Sequence, residues 1–284
     1  MSLVAGSPRK VIKVSGWPIG AQVKTVGKSS VLKLLLMRHG ESVSNRDRRM
    51  TGREDSPLTA LGRQQCQQLA AWLYQQDGRP SHLYSSPLRR SLESVAELLT
   101  PWQWRLPLPM SPAVESTGRG VGDRPSSSTV ALTALGSAQP PPLTLSPHLQ
   151  EFDAGILTGL TWAAAQQRYP DLCHALMASA DWVPIPEAET PLQGRQRAQQ
   201  FIHHLLQVHG NGDTVWVMSH QWILEHLIAA LLGCDRTWQM AMPNTALFEF
   251  WLDRDRWEQP GMSVSISDLW QIQRFGERPH LSNG

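Results

Sequence analysis

Apolar and polar positions along the chain form blocks that predict strands followed by helices. Short apolar runs bounded by polar residues are typical of buried strands, and the clearest begins the first block as "VLKLLLM". The pattern predicts strands at 31–37, 81–86, 213–220, 245–252 and 262–270. Helical spacing of apolar residues predicts helices at 59–76, from Pro87 onward, at 161–170, at 193–210 and at 221–233. We expect Pro87 to occupy the first helical position, where a missing N–H costs nothing.

This alternation predicts an α/β protein, a three-layer α/β/α sandwich around a mostly parallel central sheet. In such sheets ligands bind beyond the carboxyl ends of the strands. Two of the predicted strands end at histidines, His39 and His220. The sheet would therefore bring two imidazoles that are far apart in sequence to one rim.

Composition changes at two places along the chain. Residues 1–30 are basic and lack a regular apolar pattern, which indicates a flexible tail. Residues 111–142 are rich in Gly, Ser and Pro, which indicates a low-complexity loop or insertion outside the core. We expect 31–284 to form a single domain that carries this insertion.

Charge and cysteine content narrow the class of protein. The 284 residues carry a net charge of +2, but the first 40 hold seven cations and no acid, so the remainder has a net charge of −5. That balance argues against a nucleic-acid partner. No apolar run approaches about 18 residues, so we expect no membrane span. Cys66, Cys173 and Cys234 are too far apart to suggest a disulfide framework. The cytoplasm is the expected location, and organelle targeting by the basic N-terminus stays open.

A block of residues after the first strand carries a specific family pattern. The segment "MRHGESVSNRDRRMTGREDSPLTALGRQQ" resembles the histidine phosphatase superfamily, which includes the cofactor-dependent phosphoglycerate mutases. Three later segments fit in order: "SSPLRRS", "LQEFDAGILTG" and "VMSHQ", followed by "MPNTAL". The resemblance covers roughly residues 32–250, apart from the insertion, and implies the phosphoglycerate mutase-like fold.

The resemblance also implies a set of catalytic residues. His39 would be the nucleophile that forms a phosphohistidine, Glu151 the proton donor, and His220 the second histidine. The residues expected to bind phosphate are Arg38, Arg90, Asn45 and Gln221. A phosphate monoester is a dianion, and arginine side chains offer planar, permanently charged forks that match its oxygens.

We expect this chemistry to need no cofactor and no metal ion. The expected partner is a phosphorylated small-molecule substrate, and assembly into a homodimer stays open. Specificity should come from a lid within about 105–190. One departure concerns Gln221, where the family usually has Gly: a helical position tolerates Gln, whereas a position that needs φ > 0 would not.

Three functions compete at this point. A phosphomonoesterase is favoured, because "EFDAG" stands where a mutase would carry "ERHYG". A phosphoglycerate mutase and a catalytically weak phospho-ligand binder are the alternatives. Among other candidate residues, Glu187 and Glu189 are expected in a solvated loop. His203, His204 and His209 are expected on an exposed helix face.

Overall fold

The computed structural model describes residues 31–107, 127–257 and 270–281. The strands are β1 (Leu32–Arg38), β2 (His82–Ser85), β3 (Trp104–Arg105), β4 (Ser128–Val130), β5 (Thr133–Ala134), β6 (Leu143–Leu145), β7 (Thr214–Ser219), β8 (Leu247–Leu252) and β9 (Trp270–Glu277). The helices are α1 (Val43–Arg46), α2 (Ala60–Gln75), α3 (Arg89–Leu98), α4 (Trp162–Arg168), α5 (Pro170–Ala178), α6 (Pro191–Val208), α7 (Gln221–Leu231) and α8 (Arg254–Trp257).

Within the described residues, seven strands form the central sheet in the order β4-β6-β2-β7-β1-β8-β9. The four central strands, from β6 to β1, are parallel, and the strands at both sides of them pair antiparallel. β1 and β7 are adjacent and in register, with Arg38 opposite Ser219. His39 and His220 therefore leave the sheet side by side at its carboxyl edge.

Alternation along the strands places a core on each face of the sheet. Leu34 and Leu36 pack with α6 and α7 on one face, whereas Leu35 and Met37 pack with α2 and α3 on the other. Both faces of β1 are buried, as an apolar run in a covered parallel sheet should be. The predicted three-layer α/β/α sandwich is confirmed.

The start of α3 differs from the prediction. The helix begins at Arg89, not at Pro87, and Leu88 precedes it in an extended conformation. Asp55, from a loop 34 positions earlier, accepts a hydrogen bond from the Arg89 N–H at 3.2 Å. The first free N–H of the helix is thus satisfied by a distant side chain, which local sequence cannot reveal.

The segment predicted to lie outside the core forms part of the sheet. β4 lies within 111–142 and pairs antiparallel with β6, while β5 pairs with β3. Val130 and Leu132 pack against the core on the α2–α3 face. The prediction of a loop was wrong for 128–134, because these short strands are held by backbone hydrogen bonds rather than by an apolar run. Its part at 111–126 lies outside the described residues.

Other boundaries shift by smaller amounts. The helix predicted at 161–170 is two helices, because α4 ends at Arg168 and Pro170 occupies the first turn of α5. The strand predicted at 262–270 falls almost wholly outside the described residues, and β9 begins at Trp270.

Over the ranges that the structure describes, no helix is both long and apolar enough for a membrane crossing.

Candidate active site

The backbone of His39 is fixed at the end of β1. Its N–H donates to the Ser219 carbonyl at 3.0 Å, which continues the β1–β7 ladder. Its carbonyl accepts from Asn244 Nδ2 at 3.1 Å. The ring is 2% exposed. A buried strand with hydrogen bonds on both sides therefore holds this imidazole in one position.

The His39 ring is in the form that a nucleophile needs. Nδ1 lies 2.6 Å from the Gly40 carbonyl oxygen, which can only accept, so Nδ1 carries the proton and Nε2 is free. Burial lowers the pKa of His39 well below its usual value, and the charges of Arg90 and Arg38 lower it further. The ring is consequently neutral at pH 7, and Nε2 has a lone pair for attack.

Gly40 allows helix α2 to approach the end of β1. A Cβ at this position would lie 2.5 Å from the Gly62 carbonyl oxygen and 2.7 Å from Cys66 Sγ. Both distances are shorter than van der Waals contact, so any larger residue would push the helix away. The glycine after the histidine serves close packing, which in turn holds the His39 ring.

His220 lies beside His39 but behind the cavity wall. The two ring centroids are 5.0 Å apart, and His220 is fully buried. Its Nδ1 accepts from Arg90 Nε at 3.1 Å, and its Nε2 lies 2.8 Å from Ser86 Oγ. Burial lowers the pKa of His220 well below its usual value, and Arg90 adds to that effect. A neutral His220 thus positions Arg90.

Arg90 is a buried cation whose orientation is fixed by three acceptors. Besides His220, Nη1 donates to the Glu54 carbonyl at 2.9 Å and Nη2 donates to the Gly52 carbonyl at 2.8 Å. Burial lowers the pKa of Arg90 to about 10, so the guanidinium is still charged at pH 7. Its positive charge faces the cavity beside His39.

Arg38 supplies the second cation of the cavity, and one of its N–H donors is available to a ligand. One of its terminal nitrogens donates to the Met242 carbonyl. Its Nε is buried and has no hydrogen-bond partner among the described residues. A buried, unpaired N–H costs free energy unless a ligand supplies an acceptor. This donor is therefore suited to an oxygen of a bound anion.

A cavity of about 390 Å³ is lined by most of the residues that were predicted to form the site. The predicted residues that line it are Arg38, His39, Asn45, Arg90, Glu151 and Gln221. Asn45 Oδ1 accepts from Asn244 Nδ2 at 3.1 Å and from the Ser42 N–H at 3.2 Å, which orients its amide.

Gln221 is the first residue of α7 and has a helical backbone with negative φ. The Gly-to-Gln departure is thus accommodated without strain.

Glu151 is held at the N-terminus of α7. Its carboxylate accepts from the Phe152 N–H at 2.9 Å and from the N–H groups of Trp222 and Ile223, both at 3.4 Å. These are donors that a helix leaves free in its first turn. The carboxylate therefore lies in the same cavity as the two arginines, as the resemblance implies.

The cavity contains a second acid that no sequence pattern indicated. Glu225 lines it from the second turn of α7. Burial raises the pKa of Glu225 to about 7, and the charge of Glu151 contributes to the shift. The available signal was a glutamate in a helix whose other residues are largely apolar, four positions after Gln221.

Replacing Glu225 with Gln is expected to stabilise the protein at alkaline pH. Because its folded-state pKa is raised, the native state binds more protons than the unfolded state between about pH 4.5 and pH 7. Stability therefore falls as pH rises through that window. Since the side chain is only partly buried, we expect a modest gain, about 2–4 °C in Tm at pH 8. Thermal unfolding at pH 4.5 is the control, and an equal gain at both pH values would contradict this account.

A buried ion-pair network fixes the segment that carries Glu151. Nε and Nη2 of Arg197 each donate to an oxygen of the Glu189 carboxylate at 2.8 Å. Nη1 of Arg197 donates to the carbonyls of His148 and Gln150, both at 2.6 Å. Arg53 joins this network through Glu189 at 3.2 Å and through the Glu151 carbonyl at 3.3 Å. The prediction of a solvated loop was wrong for Glu189, which is 9% exposed.

Replacing Arg197 with Met should lower both the free energy of unfolding and the rate of turnover. The change leaves the buried Glu189 carboxylate short of a partner, which typically costs about 3 kcal/mol in the free energy of unfolding. It also releases the carbonyls that precede Glu151. Arg195→Met is a matched control on the same helix, since its partner Asp235 is 91% exposed. Chemical denaturation and initial rates would measure both effects, and equal losses in the two variants would contradict the role of the network.

Part of the cavity lining is apolar and aromatic. Phe152 and Trp222 contact each other with ring centroids 4.5 Å apart, and Leu157 and Ile185 extend the surface. Phe152, Leu157 and Ile185 come from the region predicted to form the lid. The cavity thus combines a cationic end with a wall suited to the apolar part of a small molecule.

A comparison of the sequence with protein families shows the superfamily to which the chain belongs. The sequence model of the histidine phosphatase superfamily (branch 1) matches residues 34–113 and 128–264. The chain belongs to the histidine phosphatase superfamily. The residues to which the resemblance assigns the nucleophile, phosphate-binding and proton-donor roles lie around one cavity at the carboxyl edge of the sheet.

Relatives within this superfamily carry both phosphatase and mutase names. The chain is 23% identical to the probable phosphoglycerate mutase GpmB of Escherichia fergusonii, over 88% of this chain and 95% of that protein. It is 24% identical to the glucosyl-3-phosphoglycerate phosphatase of Mycolicibacterium vanbaalenii, over 72% of this chain and 75% of that protein. The crystal structure of the α-ribazole phosphatase of Shigella flexneri superposes with a TM-score of 0.61 at 21% identity, covering 87% of this chain and 96% of that one. The phosphoglycerate mutase-like fold is confirmed.

Proposed function

We propose that this protein is a phosphomonoesterase that hydrolyses a small phosphorylated metabolite through a phosphohistidine at His39. One observation carries the proposal. The neutral His39 ring presents its unprotonated Nε2 in a cavity that is also lined by the buried Arg90 and the partly buried Arg38. Converging positive charge binds the phosphate dianion and stabilises the charge of the transferring phosphoryl group.

The first half-reaction transfers the phosphoryl group to the enzyme. His39 Nε2 forms a bond to phosphorus while the bond from phosphorus to the leaving oxygen breaks. Protonated Glu151 donates its proton to that oxygen, and the dephosphorylated product departs as an alcohol. Such transfers depend mainly on positioning and electrostatics, which the fixed arginine and histidine side chains provide.

The second half-reaction returns the enzyme to its starting state. Glu151, now ionised, takes a proton from a water molecule as the water oxygen attacks phosphorus. The bond between phosphorus and His39 Nε2 breaks, and inorganic phosphate leaves. Splitting hydrolysis into two displacements uses the same carboxyl group once as an acid and once as a base. The proposed cycle uses no metal ion.

Charge in the cavity supports hydrolysis over a mutase reaction. A mutase must retain a bisphosphorylated intermediate and reorient it in the site while water is excluded. Two carboxyl groups, Glu151 and Glu225, line this cavity, and the segment at Glu151 reads "EFDAG" rather than the mutase-like "ERHYG". Additional negative charge beside a highly anionic intermediate disfavours its retention.

The phosphatase proposal is tested by phosphate release from p-nitrophenyl phosphate with the full-length protein. We expect turnover without added metal, unchanged in EDTA and inhibited by vanadate. A panel of phosphorylated sugars, nucleotides, amino acids and glycerates would then identify the preferred substrate class.

Two outcomes would replace this proposal. Interconversion of 3- and 2-phosphoglycerate that outpaces hydrolysis would establish a mutase. A pure, folded protein that is inert towards the whole panel would favour a phospho-ligand binder.

A further inference from the structure

Two histidines and an aspartate cluster at the edge of the sheet opposite the phosphate cavity. His82 begins β2, Asp213 immediately precedes β7, and His209 directly follows α6. One donor atom from each of these residues lies within 4.8 Å of the other two. The prediction of an exposed helix face was wrong for His209, which is 4% exposed.

His209 has a ring nitrogen that the protein does not satisfy. Its Nε2 lies 2.9 Å from the Tyr84 hydroxyl, but its Nδ1 is buried and has no hydrogen-bond partner within the described ranges. Asp213 Oδ2 lies 3.5 Å from that Nδ1. This separation is too long for an N–H···O hydrogen bond. It is close to the distance of about 3.4 Å between two ligands of a tetrahedral zinc ion.

The Asp213 carboxylate is held in place from both sides. Ser81 Oγ donates to its Oδ1 at 2.9 Å, and the Gly210 N–H donates to its Oδ2 at 3.1 Å. Ser81 is itself fixed, because its hydroxyl oxygen accepts from the Thr214 N–H at 3.1 Å. The oxygen that faces His209 therefore needs no rearrangement of the loop to serve as a ligand.

The Tyr84 hydroxyl can fix the tautomer of His209, because it lies 2.9 Å from Nε2 and can accept a hydrogen bond from it. If Nε2–H donates to the Tyr84 oxygen, Nδ1 has a lone pair on the side of the ring that lies 3.5 Å from Asp213 Oδ2. A second hydrogen bond of this kind is the usual means of orienting a metal-binding histidine.

We propose that His82, His209 and Asp213 bind one divalent zinc ion, with solvent as the fourth ligand. Two imidazoles and a carboxylate form a donor set that zinc accepts in a tetrahedral site. The ion would connect the start of β2 to the turn between α6 and β7. Because the unfolded chain lacks this arrangement, binding would stabilise the native state without taking part in the reaction at the other edge.

Zinc binding to the full-length protein tests this proposal. After removal of metals with EDTA and removal of the chelator, calorimetric titration with Zn²⁺ should give one ion per chain. Zinc at about 100 times Kd should raise Tm by about 5 °C or more. A wild-type protein that binds no zinc at this stoichiometry would overturn the proposal.

Three variants locate the ion. His82→Ala and Asp213→Asn should each lose the calorimetric signal and the rise in Tm, and Asn retains an oxygen for the Ser81 hydroxyl. His203→Ala, on the exposed face of α6, should keep both. Retention of the site in His82→Ala and Asp213→Asn, or its loss in His203→Ala, would overturn the assignment. The readouts do not use catalysis, so they are independent of the phosphatase proposal.

Discussion

Replacing His39 with Asn is expected to reduce kcat by a factor on the order of 10⁴ or more, since no other group can take over the nucleophilic attack. The wild-type protein, quenched in the steady state with labelled substrate, should carry phosphate that is labile in acid and stable in base. The variant should carry none. Asn approximates the proximal part of the imidazole and should preserve the packing of the strand end.

The matched control is His203→Asn, which changes an exposed histidine on α6. It should retain the wild-type kcat and the labelled intermediate. Unfolding curves that coincide for the two variants would separate loss of chemistry from loss of structure. Substantial turnover in His39→Asn, or labelled phosphate on the variant, would contradict the assignment of the nucleophile.

Replacing Glu151 with Gln is expected to have an effect that depends on the leaving group. An alkyl phosphate expels a strongly basic alkoxide that must be protonated, so its rate should fall by about 10²–10⁴. p-Nitrophenolate leaves readily without a proton, so its release should fall far less in the first half-reaction. Comparing single-turnover rates for the two substrates isolates that step from the later attack by water.

Glu225 is the rival for the role of proton donor, because its raised pKa lies near neutrality. The two residues make different predictions in the same assay. If Glu151 is the donor, Glu225→Gln should slow alkyl and p-nitrophenyl phosphates by similar factors. A strong leaving-group dependence in Glu225→Gln, and none in Glu151→Gln, would transfer the assignment to Glu225.

The ion-pair network around Arg197 connects stability to catalysis. Glu151 follows carbonyl groups that Arg197 holds, and its carboxylate meets the N-terminus of α7. A change in this network would move Glu151, the proposed proton donor, relative to His39 without altering the groups that we propose bind the phosphate. The effect should therefore appear in kcat for poor leaving groups before it appears in substrate binding.

Strand positions were predictable because both faces of the central sheet are buried. An apolar run such as 31–37 has few alternatives to a buried strand, and β1 and β7 each end within one residue of the predicted position. Parallel pairing then requires His39 and His220 to emerge at one edge. The juxtaposition of the two histidines thus followed from topology and strand ends alone.

Features that depend on contacts distant in sequence were not predictable. Asp55 caps α3 from another loop and moves its start to Arg89, and β4 joins the sheet edge through backbone hydrogen bonds. The neighbours of Glu189 and His209 are brought in from other elements, so hydrophobic periodicity could not show that either residue is buried.

By itself the sequence determined the α/β class, the order of the main elements, and the residues that resemble a phosphohistidine site. Only the tertiary structure decided the protonation state of His39, the second acid Glu225, and the cluster of His82, His209 and Asp213. The physical reason is that apolar periodicity is a local property of the chain. Burial of a charge, and the partner that compensates it, depend on which segments the fold brings together.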